Sequence, residues 1–240
     1  MFEVDRALVL EAAQRLESAS GLRWVIGGAC SGKSSVCRTV SRWTGVPVYD
    51  MDEQVYGRFL SRYSSSRHPA STAWLKRSDG LAWVLSLPWE AFDALNRATN
   101  AEFLDLMSRD LSERFGDRSV LVDGGITHPS VLAAAVDRSR IACLTVATSE
   151  SRRIWEEDEA RAEMRRAVES LPGDADRWAT FLAFDARMSA TIDREAREQG
   201  VAMIDRSVDV SVEELSKTVM RRLGLEPAGG LAQAARERSA

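Results

Sequence analysis

Short apolar segments alternate with longer amphipathic ones along most of the chain. Apolar residues at helical spacing, such as Leu8, Ala12 and Leu16, predict helices. Brief apolar runs between glycine, proline or polar residues predict strands. The predicted strands cover 23–26, 46–49, 119–122, 141–146 and 201–204. The predicted helices outside the central region cover 4–16, 33–43, 130–137, 150–171, 176–199 and 212–223, with Ser211 as the expected N-cap of the last helix.

This alternation predicts an α/β fold, in which a mostly parallel sheet is covered by helices on both faces. We expect residues 1–226 to form a single domain. Residues 53–116 differ from the rest, because they predict a helical insertion that is broken by a serine-rich turn and by Pro69 and Pro88. Residues 227–240 are expected to form a frayed or disordered tail.

The most specific motif lies between the first strand and the helix after it. The segment 27–34 reads GGACSGKS and fits G-x-x-x-x-G-K-[S/T] at every fixed position. Glycines bring backbone N–H groups close to phosphate oxygens, and the helix adds the positive end of its dipole. Lys33 is expected to reach the β- and γ-phosphates of ATP, and Ser34 to ligate Mg²⁺. The expected nucleotide contacts are Gly28, Ala29, Cys30, Ser31, Gly32, Lys33, Ser34 and Ser35.

Acidic residues follow the second and third strands. If the extended backbone continues through Met51, the side chains of Asp50 and Asp52 point the same way. Ligands of open α/β sheets bind at this edge. We assign Asp50 to a Mg²⁺-bound water, Asp52 to the acceptor hydroxyl and Asp123 to the metal shell. The alternatives are that Asp52 caps a helix and that Asp123 forms an Asp-Gly turn.

Other residues are expected on the acceptor side of the site. Gly124 and Gly125 would let a substrate approach the backbone. Arg58 is a candidate contact for an anionic substrate, with surface charge as the alternative. The tryptophans of the insertion are expected mainly to pack in the core, with stacking on a substrate ring as the alternative. They are Trp74, Trp83 and Trp89.

The segment 150–171 is rich in arginine, which can neutralise charge on a transferring phosphoryl group. Arg152 and Arg153 follow the fourth strand most closely and are the first choice for a catalytic arginine. Arg161 and Arg165 come next. The alternative is a solvated helix face with i,i+4 ion pairs, such as Glu157 with Arg161.

Composition and charge exclude several classes of partner. A net charge of −4 over 240 residues gives no basic footprint for nucleic acid, and no apolar run is long enough to span a bilayer. Cys30, Cys37 and Cys143 have no metal-ligand spacing and no disulfide framework. A cytoplasmic protein, either a monomer or a homodimer, is the simplest expectation. A histidine base is not expected, since His68 has no evident role and His128 is predicted to face solvent from a loop, with a position lining the site as the alternative.

The loop at 27–34, its helix and the Asp50–Asp52 segment resemble the small-molecule kinases of the phosphate-loop class. These kinases include shikimate kinase, gluconate kinase, chloramphenicol phosphotransferase and the nucleoside monophosphate kinases. The local likeness to shikimate kinase implies that Asp50 is tied to the magnesium shell and that Asp52 contacts the acceptor hydroxyl. It also implies a five-stranded parallel sheet of order 2-3-1-4-5 and a mobile arginine-bearing lid, which corresponds to 150–175. The likeness does not extend to the insertion.

These features predict a phosphotransferase that uses ATP and Mg²⁺ and acts on a hydroxyl of a small metabolite or natural product. A nucleoside or nucleoside monophosphate kinase is the alternative enzyme. An ATP-binding regulatory module is the alternative of another class. A GTPase is not expected, because the chain has only three lysines and none lies in an Asn-Lys-x-Asp segment.

Overall fold

The computed structural model describes residues 2–172, 176–207 and 209–228. Five parallel strands form one sheet in the order β2-β3-β1-β4-β5, as the sequence and its resemblance predict. The strands are β1 (Leu22–Gly27), β2 (Val48–Asp50), β3 (Val120–Asp123), β4 (Ile141–Val146) and β5 (Ala202–Arg206).

Helices cover both faces of the sheet. The α-helices are α1 (Arg6–Glu17), α2 (Lys33–Thr44), α3 (Met51–Glu53), α4 (Pro69–Leu75), α5 (Gly80–Leu85), α6 (Trp89–Phe115), α7 (Pro129–Ala133), α8 (Thr148–Glu157), α9 (Ala162–Glu169), α10 (Arg177–Glu198) and α11 (Val212–Leu223). A π-helical turn, Gln54–Arg58, continues α3. Short 3₁₀ turns precede β4 and α9.

Side chains of β1 alternate between two hydrophobic cores. Trp24 and Ile26 point to the core formed with α1, α6 and α10, whereas Val25 points to the core formed with α2 and α11. All three side chains are fully buried. The predicted three-layer α/β fold is therefore confirmed, and it brings the carboxyl ends of all five strands to one edge.

The structure divides the helix predicted at 150–171. Asp158 has an extended backbone and accepts a hydrogen bond from the Ala160 amide at 2.9 Å, so α8 ends before it and a new turn begins. The predicted N-cap at Ser211 is confirmed, with a reciprocal capping box to Glu214.

The tail was predicted to begin at Pro227, and most of it, from residue 229 onwards, lies outside the described residues. Within them, the Ala228 amide donates to the Trp43 carbonyl oxygen at 3.0 Å. No helix among the described residues is long and apolar enough to cross a membrane.

Candidate active site

The segment 27–34 forms the turn between β1 and α2. A β-carbon at Gly27 would lie 2.1 Å from the Leu144 carbonyl oxygen, and the φ angle there is 143°, so the position requires glycine. Inside the loop, the Ser31 hydroxyl donates to the Gly28 carbonyl oxygen at 2.9 Å. No described side chain caps the first turn of α2. The N–H groups of this turn are therefore available to donate hydrogen bonds to an anion.

Lys33 reaches back over this loop. Its Nζ donates to the Gly28 carbonyl oxygen at 2.8 Å. Burial lowers the pKa of Lys33, and the negative charges of Asp123 and Asp52 act in the opposite direction. An ammonium group that has lost hydration is stabilised by an anion entering its site. The geometry therefore suits the phosphate-binding role that the motif predicts.

The other loop residues are held by the surrounding structure. Cys30 adopts a φ angle of 61°, which is uncommon outside glycine, and the Arg206 guanidinium donates to its carbonyl oxygen. Burial raises the pKa of the Cys30 thiol, which favours a packing role over reactivity. Ala29 packs against the hydrophobic cluster that contains Cys30 and Trp155, and Ser35 is half-buried. Arg206, at the end of β5, belongs to no motif and was not anticipated from the sequence.

Asp50 and Asp123 end neighbouring strands and are partners in the β2–β3 register. Asp50 Oδ1 accepts hydrogen bonds from the amides of Asp52 at 3.0 Å and Glu53 at 3.2 Å, and thereby caps α3. The expectation that extended backbone continues through Met51 is therefore wrong. The capping role considered for Asp52 belongs instead to Asp50, because the helix begins two residues earlier than that alternative requires.

Asp52 and Asp123 nevertheless converge electrostatically on Lys33. Burial and the charge of Asp50 raise the pKa of Asp52, and Lys33 partly lowers it. Burial also raises the pKa of Asp123, while the nearby Ser34 hydroxyl and Lys33 lower it in part. Asp123 is buried, Lys33 is half-buried and Asp52 is exposed, so these three groups run from the core to the surface at the strand edge.

The oxygen donors at this edge suit magnesium. Mg²⁺ prefers oxygen ligands, keeps several waters and is usually bound by one or two carboxylates together with phosphate oxygens. Among the described residues, no group of three or more His, Cys, Asp or Glu side chains is arranged to hold a metal alone. The donor set therefore fits an ion shared with nucleotide phosphates, and Ser34, Asp50 and Asp123 are the residues that would hold it.

The glycines after β3 have different surroundings. A β-carbon at Gly124 would lie 3.4 Å from Lys33 Cε, so this glycine borders the site. A β-carbon at Gly125 would lie 2.3 Å from Met51 Cβ, and the φ angle there is 76°. Met51 is fully buried, so packing against the core accounts for Gly125.

The arginines of the insertion are engaged by buried carboxylates. Arg58 donates to Asp110 Oδ1 at 3.2 Å, and Arg62 donates to the same atom at 3.3 Å. Arg67 forms a similar bond to Asp105 at 2.8 Å. Arg58, predicted as a substrate contact, is thus already committed to an ion pair within the insertion.

Arg152 and Arg153 are also paired along their own helix. Arg152 contacts Glu156 at 3.0 Å, and Arg153 contacts Glu150 at 2.6 Å and Glu157 at 3.1 Å. The two arginine side chains are 66% and 51% exposed. This is the arrangement that the solvated-face alternative describes.

Arg161 is the arginine of this region whose charge acts on Lys33. Its guanidinium lies 4.8 Å from the centre of the Trp155 ring. The ion pair predicted between Glu157 and Arg161 is not formed, because the chain breaks at Asp158. None of the ion pairs found among the described residues includes Arg161.

His128 is fully buried, so the expectation that it faces solvent is wrong. Its Nδ1 lies 3.1 Å from Glu195 Oε1, and its Nε2 lies 3.3 Å from Asn96 Nδ2. The local sequence contains no sign of either contact, since Glu195 lies in α10 and Asn96 in α6. His68 is also buried and contacts Asp105 at 3.2 Å.

The insertion lines an open cavity of about 410 Å³ together with Met164 of α9. Its aromatic lining includes Tyr56, Tyr63, Trp74 and Phe92. Two of the tryptophans have the predicted packing role. Trp83 packs beneath the Arg77 guanidinium, and Trp89 contacts Phe92 and Phe184. Trp74, by contrast, lines the cavity.

No protein-family model and no curated protein sequence matches the chain. Among solved structures, the chain is similar to TT1252 from Thermus thermophilus. The TM-score is 0.50 and the sequence identity is 17%, over 85% of this chain and 96% of TT1252. At this identity the likeness concerns the fold. Together with the sheet order, it supports the three-layer α/β fold with a five-stranded parallel sheet.

Proposed function

We propose that the chain is a Mg-ATP-dependent phosphotransferase that transfers the γ-phosphate to a hydroxyl of a small metabolite or natural product. The observation that carries this proposal is the loop at 27–34, whose Lys33 lies within electrostatic reach of Asp52 and Asp123 at the open end of α2. A cavity in the insertion is lined by Val55 and Tyr56, which follow Asp52 by three and four residues. A phosphate-binding edge and a second cavity supplied by neighbouring segments suit a two-substrate transfer.

Each residue then has a distinct role in the transfer. The loop amides and Lys33 hold the phosphate chain, and Asp52 accepts the proton of the acceptor hydroxyl. The acceptor oxygen bonds to the γ-phosphorus while the bond to the β,γ-bridging oxygen breaks, which leaves ADP. The raised pKa of Asp52 makes it a stronger base than an ordinary carboxylate. Bound Mg²⁺ would neutralise charge on the phosphate oxygens.

A nucleoside kinase is the second candidate. It is favoured by the aromatic lining of the cavity, because aromatic rings can stack on a base. The ring centres of Tyr56 and Trp74 in this lining lie 5.9 Å apart. A nucleoside monophosphate is a weaker candidate acceptor, because Arg58 and Arg62 are bound to Asp110 rather than free to meet a phosphate. A panel of nucleosides and their monophosphates separates these acceptors.

The test is ADP release by the intact chain with Mg-ATP and a library of hydroxyl-bearing metabolites. We expect at least one acceptor to raise ADP release well above the rate with water alone. Slow turnover that no acceptor alters would favour the ATP-binding regulatory module. Calorimetry that detects no heat with Mg-ATP would remove both functions.

A further inference from the structure

The cavity in the insertion has the size and lining of a small-molecule site. Its volume of about 410 Å³ lies within the range of ligand pockets, and its walls are mainly aromatic and aliphatic. Val55 and Tyr56 of its wall follow Asp52 by three and four residues in one helical segment, so this part of the wall lies close to the strand edge. A compound in this cavity could therefore present a hydroxyl to Asp52.

The charges around the cavity disfavour an anion. Among the described residues that line it, none carries a formal charge. The carboxylate of Glu102 lies directly behind the lining residue Ser71, whose hydroxyl and amide both donate to it at 2.5 and 2.7 Å. Asp52 provides a second negative charge, near Tyr56. An anion that lost part of its hydration here would have no cationic partner among these lining residues and two carboxylates nearby, so its binding would be disfavoured.

One polar side chain in the cavity wall has a fixed orientation. Burial opposes ionisation of Glu195, but hydrogen bonds from His128 and Ser130 outweigh it and hold its pKa at about 2. The ionised carboxylate only accepts hydrogen bonds, so His128 Nδ1 donates to it. On the other side of the ring, His128 Nε2 lies 3.3 Å from Asn96 Nδ2 and 3.7 Å from Asp93 Oδ1.

This orientation leaves Asn96 Oδ1 as the group that can serve a ligand. Asn96 Nδ2 donates to Thr127 Oγ1 at 2.7 Å and to Met188 Sδ at 3.3 Å, so both of its hydrogens have partners. The oxygen takes part in none of the hydrogen bonds found among the described residues. The Tyr63 hydroxyl also belongs to the cavity wall and lies near the Ser71 hydroxyl. An amide oxygen in the wall of a cavity can accept a hydrogen bond from a ligand.

We propose that the acceptor is an uncharged, ring-bearing compound that occupies this cavity and donates a hydrogen bond to Asn96 Oδ1. The assignment of this compound as acceptor rests on the proposed function, whereas its class rests on the cavity alone. Asn96 is thus a specificity-determining residue, and Glu195 and His128 are positioning residues that act through it.

The experiment compares isosteric neutral and anionic probes. Binding of mandelamide and mandelate, and of 4-hydroxyphenylacetamide and 4-hydroxyphenylacetate, is measured by ligand-observed NMR on the intact chain, with and without a non-hydrolysable Mg-ATP analogue. We expect each amide to bind at least about tenfold more tightly than its carboxylate. Equal binding of both members, or no binding of either amide to the folded protein, would overturn the proposal.

Three variants test the role of Asn96. Asn96→Leu should weaken amide binding about fivefold, whereas Asn96→Asp, which keeps an acceptor oxygen, should retain most of it. Thr99→Val is the matched control, because the Thr99 hydroxyl lines the same cavity but donates to the Asn96 backbone carbonyl at 2.9 Å. It should leave amide binding nearly unchanged. Unaltered amide binding by folded Asn96→Leu would contradict the orientation argument.

These measurements separate the two proposals. If the amides bind as expected but Mg-ATP gives no heat in calorimetry, the ligand class stands and the phosphotransferase function falls. If acceptor-dependent ADP release is found only with anionic acceptors, the function stands and the proposed ligand class falls.

Discussion

Asp105 in the insertion and Asp123 at the strand edge are both buried carboxyl groups, but their surroundings shift their pKa values in opposite directions. In the insertion, burial opposes ionisation of Asp105, yet hydrogen bonds from Arg67 and His68 outweigh it and hold its pKa far below the ordinary range. At the strand edge, burial dominates and raises the pKa values of Asp52 and Asp123.

The difference lies in how many partners the protein itself supplies. Asp105 has no exposed side-chain surface and contacts three arginines, so its charge is fully compensated. Lys33 at the strand edge has carboxyls nearby, but its own pKa is lowered by burial. A charge that remains poorly compensated in the folded protein indicates a place where a ligand completes the arrangement. We therefore expect substitutions in the two regions to affect different properties.

The largest expected effect is that of Lys33→Ala on ATP turnover. Loss of the ammonium group should lower the rate of ADP release about 10³-fold. This is the size of effect expected when one preorganised group that stabilises charge in the transition state is removed. The free energy of unfolding should stay the same or rise, because a desolvated charge is removed. ADP release and urea unfolding measure the two properties.

Full turnover by Lys33→Ala would count decisively against the site. A large decrease in the free energy of unfolding would also contradict the contrast drawn between the two regions. Lys33 would then stabilise the folded protein, as Asp105 is expected to do. Lys217→Ala is the control, because this exposed lysine lies in α11 and should alter neither property.

The second effect is that of Asp52→Asn on transfer. We expect the rate of transfer to an acceptor to fall about 10²-fold, while calorimetry still detects Mg-ATP binding. In the wild-type protein, kcat/KM should fall as pH decreases through the raised pKa of Asp52, and the variant should lack this limb.

The stability of Asp52→Asn should follow the opposite pH trend. A carboxyl whose pKa is raised on folding lowers stability as pH rises through that pKa, so the neutral variant should be at least as stable as the wild type at pH 7. Unchanged transfer by the variant would remove Asp52 as the base. Loss of Mg-ATP binding would instead show that Asp52 serves the nucleotide.

The fold could be predicted from the sequence because its signals are local. Each signal is contained in a short stretch of sequence. This holds for the motif at 27–34, for the apolar run of each strand and for the polar residues at strand ends. The break at Asp158 was missed because 150–171 keeps a helical pattern across it. Only the extended backbone and capping side chain of Asp158 show where α8 ends.

The candidate site was predictable only in part, because partner choice depends on contacts between distant segments. Arg58 carried no sign that Asp110 would bind it, and the two are 52 positions apart. His128 was expected in solvent because its neighbours form a loop, whereas Glu195 and Asn96 bury it. Arg152 was preferred for its position after β4. In the structure it lies within α8, where Glu156, one turn further on, forms an ion pair with it.

The third effect concerns the insertion. Asp105→Asn should lower the free energy of unfolding by about 2 kcal/mol, because an amide cannot compensate the arginines around it. Exposed Glu169, which pairs with Arg165 at 2.8 Å, provides the control. Glu169→Gln should change stability by less than about 0.5 kcal/mol. Urea unfolding of both variants measures the difference.

The contribution of Asp105 should also depend on pH with a definite sign. Its pKa is lowered on folding, so its contribution is present above the ordinary aspartate pKa, about 4, and is lost as pH falls below it. The difference between wild type and Asp105→Asn should therefore be constant near neutral pH and shrink in acid. A difference that grew in acid would contradict this account.

The smallest expected effect distinguishes arginines of the lid region. Arg161→Ala should lower kcat about tenfold, which corresponds to the loss of roughly 1.4 kcal/mol from one charge-assisted contact. Arg152→Ala and Arg153→Ala should change kcat by less than about twofold, because exposed intrahelical pairs contribute little. Steady-state kinetics with a saturating acceptor measure all three variants.

This last prediction depends on the break at Asp158. A continuous helix would place Glu157 and Arg161 one turn apart and engage the arginine as Arg153 is engaged. The extended backbone at Asp158 separates them, and the Arg161 guanidinium instead packs on Trp155 with its charge near Lys33. If Arg152→Ala or Arg153→Ala lowered kcat more than Arg161→Ala, the order of importance inferred from these contacts would be reversed. The unpaired arginine would then be a packing residue for Trp155, and the strand edge would draw its positive charge from α8.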